Sequence, residues 1–112
     1  MIRRGLAALA AAVLPAAAAP DHELVHNEIA DILALPADTA YGAWLASECT
    51  SCHGVGTEGG IPQIHGLPAG YIVGALVDYR LGARQHEVMQ TIATRLGEEE
   101  IAALAAYFSE AD

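Results

Sequence analysis

Apolar residues recur along this chain at helical spacing, and each such stretch is bounded by residues that start or stop helices. Between Asp21 and Leu35, Val25, Ile29 and Ile32 form a stripe flanked by Leu24, Glu28 and Leu33. Pro36 ends it. A second helix is predicted from Asp38, whose carboxylate suits an N-cap, with Tyr41, Trp44 and Leu45 on one face as far as Cys49. From His53 to Gly66 the residues Gly54, Gly56, Gly59, Gly60, Pro62 and Gly66 predict a loop. Pro68 suits the first turn of a third helix, which carries Tyr71, Ile72, Ala75, Leu76 and Tyr79 along one side and stops at Gly82. A shorter helix is predicted from about His86 to Arg95, with Met89, Ile92 and Leu96 on one side. Gly97 then precedes Glu98, Glu99 and Glu100, whose charges favour a helix N-terminus, and the last helix presents Ile101, Leu104, Ala105 and Phe108 as its buried stripe. No stretch alternates like a strand, so the expected fold class is all-α.

The first residues read differently. Ile2-Arg3-Arg4 is a short basic region, Leu6 to Leu14 is apolar, and Pro15 to Ala19 is a run of small residues. That order and proportion predict a secretory signal peptide over 1–19, cleaved after Ala18 or Ala19, with Pro20 disfavouring the second position. The apolar stretch is too short to span a bilayer, so no membrane anchor is expected. Residues 20–37 are then an N-terminal helical extension, and 38–112 a single domain. The extension could pack on that domain or remain an arm that docks on a partner, and the sequence leaves both open. A mature chain of about 90 residues buries only a modest apolar core, which favours a large bound group as part of the interior.

One motif supplies such a group. Cys49-Thr50-Ser51-Cys52-His53 has the Cys-x-x-Cys-His spacing of a c-type haem attachment site. Two thiols three positions apart on a helical turn reach the same side, where each can add across a porphyrin vinyl group, and His53 can place its imidazole under the iron as proximal ligand. A redox disulfide and half of a zinc site use the same two sulfurs. The first lacks its strands, and the second has only scattered histidines to complete four ligands. Cys49 and Cys52 are the only cysteines, so no disulfide framework competes for them.

Beyond Met1, Met89 is the only methionine. A thioether opposite His53 would saturate the iron and raise its reduction potential. Met89 lies far enough along the chain for it to wrap a flat cofactor, although methionine is commonly a core filler. His65 and His86 are the competing sixth ligands.

Charge narrows the partners. The whole chain carries −9, removal of Arg3 and Arg4 makes it more acidic still, and it contains no lysine. Such a field excludes nucleic acid and favours a docking face that is basic or neutral, or it simply maintains solubility.

With Gly42 and Trp44, Cys49-Thr50-Ser51-Cys52-His53-Gly54, Ile61-Pro62, Gly66-Leu67-Pro68, Tyr71, Met89 and Leu104-Ala105-Ala106-Tyr107-Phe108 together, the chain resembles class I single-haem c-type cytochromes from Gly42 to Phe108. The resemblance implies a small all-α cytochrome c fold wrapped around one covalent haem c, with thioethers at Cys49 and Cys52 and iron between His53 and Met89. It also implies that Pro62 offers its carbonyl to the second ring nitrogen of His53, that the helix at Gly42 crosses the helix at Tyr107, and that Tyr79 and Arg84 stand near the propionates. From Gly60 to Phe108 the chain is similar to the cytochrome subunit of flavocytochrome c sulfide dehydrogenases, which implies a flavoprotein partner. The lysine ring of many class I cytochromes is missing, which counts against partners that read it.

Three functions follow. The first is a periplasmic electron carrier without catalytic residues, serving redox protein partners. The second is the non-catalytic haem subunit of a sulfide dehydrogenase, receiving electrons from a flavin. The third, available if Met89 leaves the iron open, is binding of nitric oxide or peroxide.

Overall fold

The computed structural model describes residues 2, 4–13, 20–54 and 60–110. The expected cleavage region Pro15 to Ala19, and Gly56 and Gly59 of the glycine-rich loop, lie outside the described residues. Residues 4–13 carry no helix or strand, and Leu6, Leu9 and Val13 are exposed.

Five helices follow: α1 His22–Leu33, α2 Thr39–His53, α3 Ala69–Leu81, α4 Glu87–Arg95 and α5 Glu98–Glu110. Their ends are set by local chemistry. Asp21 caps α1 by accepting from the Glu23 amide at 2.9 Å, and Asp38 caps α2 by accepting from Tyr41 at 3.0 Å. Pro68 is the N-cap of α3, one position before the predicted first turn, and Gly82 ends that helix in the left-handed conformation at φ 79°. The Glu100 carboxylate reaches back to the Gly97 amide at 3.1 Å, so one acidic residue of the first turn of α5 satisfies an unpaired donor directly.

α5 is the centre of the molecule. Ile101, Leu104, Ala105 and Phe108 are buried as expected, and Ala102 and Ala103 are buried as well. α2 crosses this helix at Gly42, where an added Cβ would collide with the Ala103 carbonyl and lie 2.8 Å from Tyr107 Cβ. Only small side chains fit so close an approach.

That crossing overturns one expectation. Tyr41, Trp44 and Leu45 were expected together on one face of α2, yet the buried residues are Gly42 and Ala46, while Trp44 is 73% exposed and stacks on Tyr41 on the outside. Leu45 alone packs partly against the core. The stripe on α3 is rotated too. Ile72, Val73 and Val77 are buried, whereas Tyr71 faces solvent.

The cause of the second shift is α1, which lies along α3. Ile29 Cδ1 is 3.9 Å from where a Cβ on Gly74 would stand, and Leu33 Cδ1 is 4.0 Å from the same point on Gly70. Val25 and Ile32 join the core, and Arg80 on α3 pairs with Glu28 on α1 at 2.9 Å. The N-terminal helix is therefore part of the packed structure.

Candidate haem site

The attachment motif occupies the last turn of α2, four residues beyond the predicted extent of that helix. Cys49 and Cys52 are free thiols one turn apart, the first half-buried and the second exposed. Burial, assisted by the neighbouring charge of Glu48, holds the Cys49 thiol above its ordinary pKa. Reactive redox cysteines have the opposite character, since they need a stabilised thiolate. Nor does a zinc centre form: among the described residues no three His, Cys, Asp or Glu side chains gather as metal ligands.

His53 is the final residue of α2, and its Nδ1 lies 2.6 Å from the Pro62 carbonyl oxygen. A carbonyl only accepts, so Nδ1 carries the proton and donates. The lone pair is thereby left on Nε2, the tautomer a metal-ligating histidine with a carbonyl partner adopts. Two thiols aligned on one turn, next to an imidazole so oriented, fit a covalent haem. When bound, the haem supplies one-electron chemistry at its iron; the chain supplies two sulfurs and an oriented nitrogen.

Met89 sits in the first turn of α4 and is half-buried, as are Ile92 on that helix and Leu96, its C-cap. Its amide points to Nδ1 of the N-cap residue His86 at 3.4 Å, so one nitrogen of that rival ligand is occupied in capping. The other rival, His65, stands edge-on to Phe108 with ring centroids 5.1 Å apart. Arg84 lies over the Tyr79 ring at 4.9 Å, and His86 meets the same ring edge-on at 6.5 Å. His86, expected both as a rival ligand and at about the start of α4, is the N-cap of that helix, a role its place just before Glu87 suits.

The cytochrome c family model matches residues 39–112, from the start of α2 to the end of the chain. This protein belongs to the cytochrome c family. Its fold and its Cys-x-x-Cys-His motif are those of a class I c-type, haem-carrying electron-transfer protein.

Among its relatives, the cytochrome subunit of sulfide dehydrogenase from Chlorobaculum tepidum is 38% identical over 77 residues, covering 65% of this chain and 68% of the relative. The thiosulfate dehydrogenase electron acceptor of Stutzerimonas stutzeri is 43% identical over 65 residues, which is 54% of this chain and 30% of that protein. Cytochrome c4 of Pseudomonas aeruginosa is 39% identical over 67 residues, 53% of this chain and 33% of the relative. The chain thus spans about a third of the length of these last two proteins.

Proposed function

We propose that this chain is a periplasmic single-haem electron carrier, with haem c joined to Cys49 and Cys52 and its iron held between His53 and Met89. The observation that carries the reading is the tautomer of His53, whose Nδ1 is committed to Pro62 while Nε2 stays available beside the two thiols. Met89 is favoured as sixth ligand because it is the only methionine beyond Met1 and lies half-buried in the first turn of α4; His86, whose Nδ1 caps that helix, and His65, edge-on to Phe108, are the alternatives. Export rests on the basic, apolar and small-residue order of residues 2–19. Among the described residues no helix is long and apolar enough to cross a membrane.

The likeness to a sulfide dehydrogenase cytochrome subunit over two thirds of that relative's length favours a specific partner, a flavoprotein that delivers electrons from a reduced sulfur compound. The acidity of the chain is compatible with a basic docking face on it.

Mass spectrometry of the exported chain is expected to show one covalently added haem and loss of the leader. Absorption spectra of the wild type are expected to be low-spin, and Met89→Ala to become high-spin with a lower reduction potential. An unchanged Met89→Ala spectrum would transfer the sixth position to a histidine. Co-purification with a flavin-absorbing protein tests the partner; a free monomer in a strain that retains such a flavoprotein speaks against it.

A further inference from the structure

Between Gly60 and Pro68 the chain runs from the proximal histidine to the end of the last helix, and it is fastened at both places. At one, the Pro62 carbonyl accepts from His53 Nδ1 at 2.6 Å. At the other, the Gly66 amide donates to the Phe108 carbonyl at 2.8 Å, taking up one of the acceptors that the C-terminal turn of α5 leaves without a helical donor. Gly66 adopts φ 79° to make this bond, a conformation that side-chain-bearing residues rarely hold.

His65 lies between the two fastenings. Its ring stands at 82° to Phe108, which is fully buried. Its Nδ1 is buried with no hydrogen-bond partner. The side chain therefore contributes no hydrogen bond through that atom, and what holds it is the fit of one flat ring against the edge of another. Ile64 packs partly against the core beside it, and the Leu67 amide turns back to the Ile64 carbonyl at 3.4 Å, so the segment has little freedom to slide.

We propose that His65 is a positioning residue for His53. Wedged on Phe108, it fixes the loop so that the Pro62 carbonyl stays on the Nδ1 proton, and through that bond it sets how strongly the proximal imidazole donates to the iron. A histidine that donates its second N–H to a carbonyl is a more basic ligand, and a more basic ligand favours ferric over ferrous iron. Loosening the wedge raises the potential. The inference rests on His53 being the proximal ligand.

The test compares haem-loaded wild type, His65→Ala and His65→Phe by midpoint potential and by hydrogen exchange of the His53 Nδ1 proton in NMR spectra. In His65→Ala the potential is expected to rise and exchange to accelerate by about tenfold or more, as local opening of the loop becomes easier. His65→Phe keeps a flat ring on Phe108 and is expected to return both readouts towards wild type. Phe108→Leu, which narrows the surface the ring rests on, moves them the same way as His65→Ala. The proposal is overturned if His65→Ala lowers thermal stability without moving potential or exchange, or if His65→Phe shifts both as far as alanine does. A chain that takes up no haem overturns the electron-carrier reading and this one together; loaded variants with an unmoved potential overturn this one alone.

Discussion

Where α2 crosses α5 the two helices close on each other, whereas α3 and α4, which pack on one another, do not meet α2 and its attachment motif. At the crossing Gly42 meets Ala103 and Tyr107 and Ala46 is buried, with Ile101 and Phe108 sealed in the core at 0% exposure. Elsewhere Cys49, Ile64, Leu67, Leu76 and Leu96 pack on the core while only half-buried, and Met89 is half-buried as well. Close packing like that of the first region needs no further component. The half-buried apolar residues of the second suit a small domain whose interior includes a flat apolar cofactor. One half of the molecule is therefore governed by helix contact and the other by the group it receives.

The largest test of that division removes the cofactor. Cys49→Ala with Cys52→Ala abolishes covalent attachment, and the haem-free chain is expected to lose most of its helical circular dichroism, because bound metal groups supply folding energy to small domains. Cooperative unfolding near the wild-type temperature would show that the α2–α5 crossing sustains the fold unaided. Gly42→Ala attacks the closed half instead. The added methyl meets backbone, which cannot rotate away, so about 3 kcal/mol of stability is expected to be lost in denaturant titration while the haem-loaded spectrum keeps its spin state. A spin change would mean that the two halves are more tightly coupled than their packing indicates. Smallest is Glu28→Gln, which breaks the partly buried pair with Arg80. Its expected cost is under about 1 kcal/mol, since solvent screens both groups, and it leaves the spectrum unaltered. Loss of several times that amount would make α1 a principal support of the fold.

Much of this was legible before any coordinates. The helix stops at Pro36 and Gly82, the cap Asp38, and the alignment of Cys49 with Cys52 depend on neighbours within a turn. The stripe of α5 was readable as well, because that helix is buried strongly enough to keep its period. Periodicity failed on α2, where the aromatic residues that looked like a core face lie outside. It failed again on α3, where α1 takes up the side bearing Gly70 and Gly74. In both cases a close approach between helices excluded the larger side chains, and amphipathic pattern alone does not register which neighbour will come near.

The amino-acid sequence by itself determined five helices, most of their ends, and a pair of thiols beside an imidazole, since each is decided by groups a few positions apart. Only the tertiary structure decided that α1 is packed against α3, that Trp44 faces outward, and that His65 rests on Phe108, whereas the meeting of the Pro62 carbonyl with His53 was already implied by the family resemblance. Those pairings join residues distant along the chain, and their geometry follows from how the helices exclude one another in space.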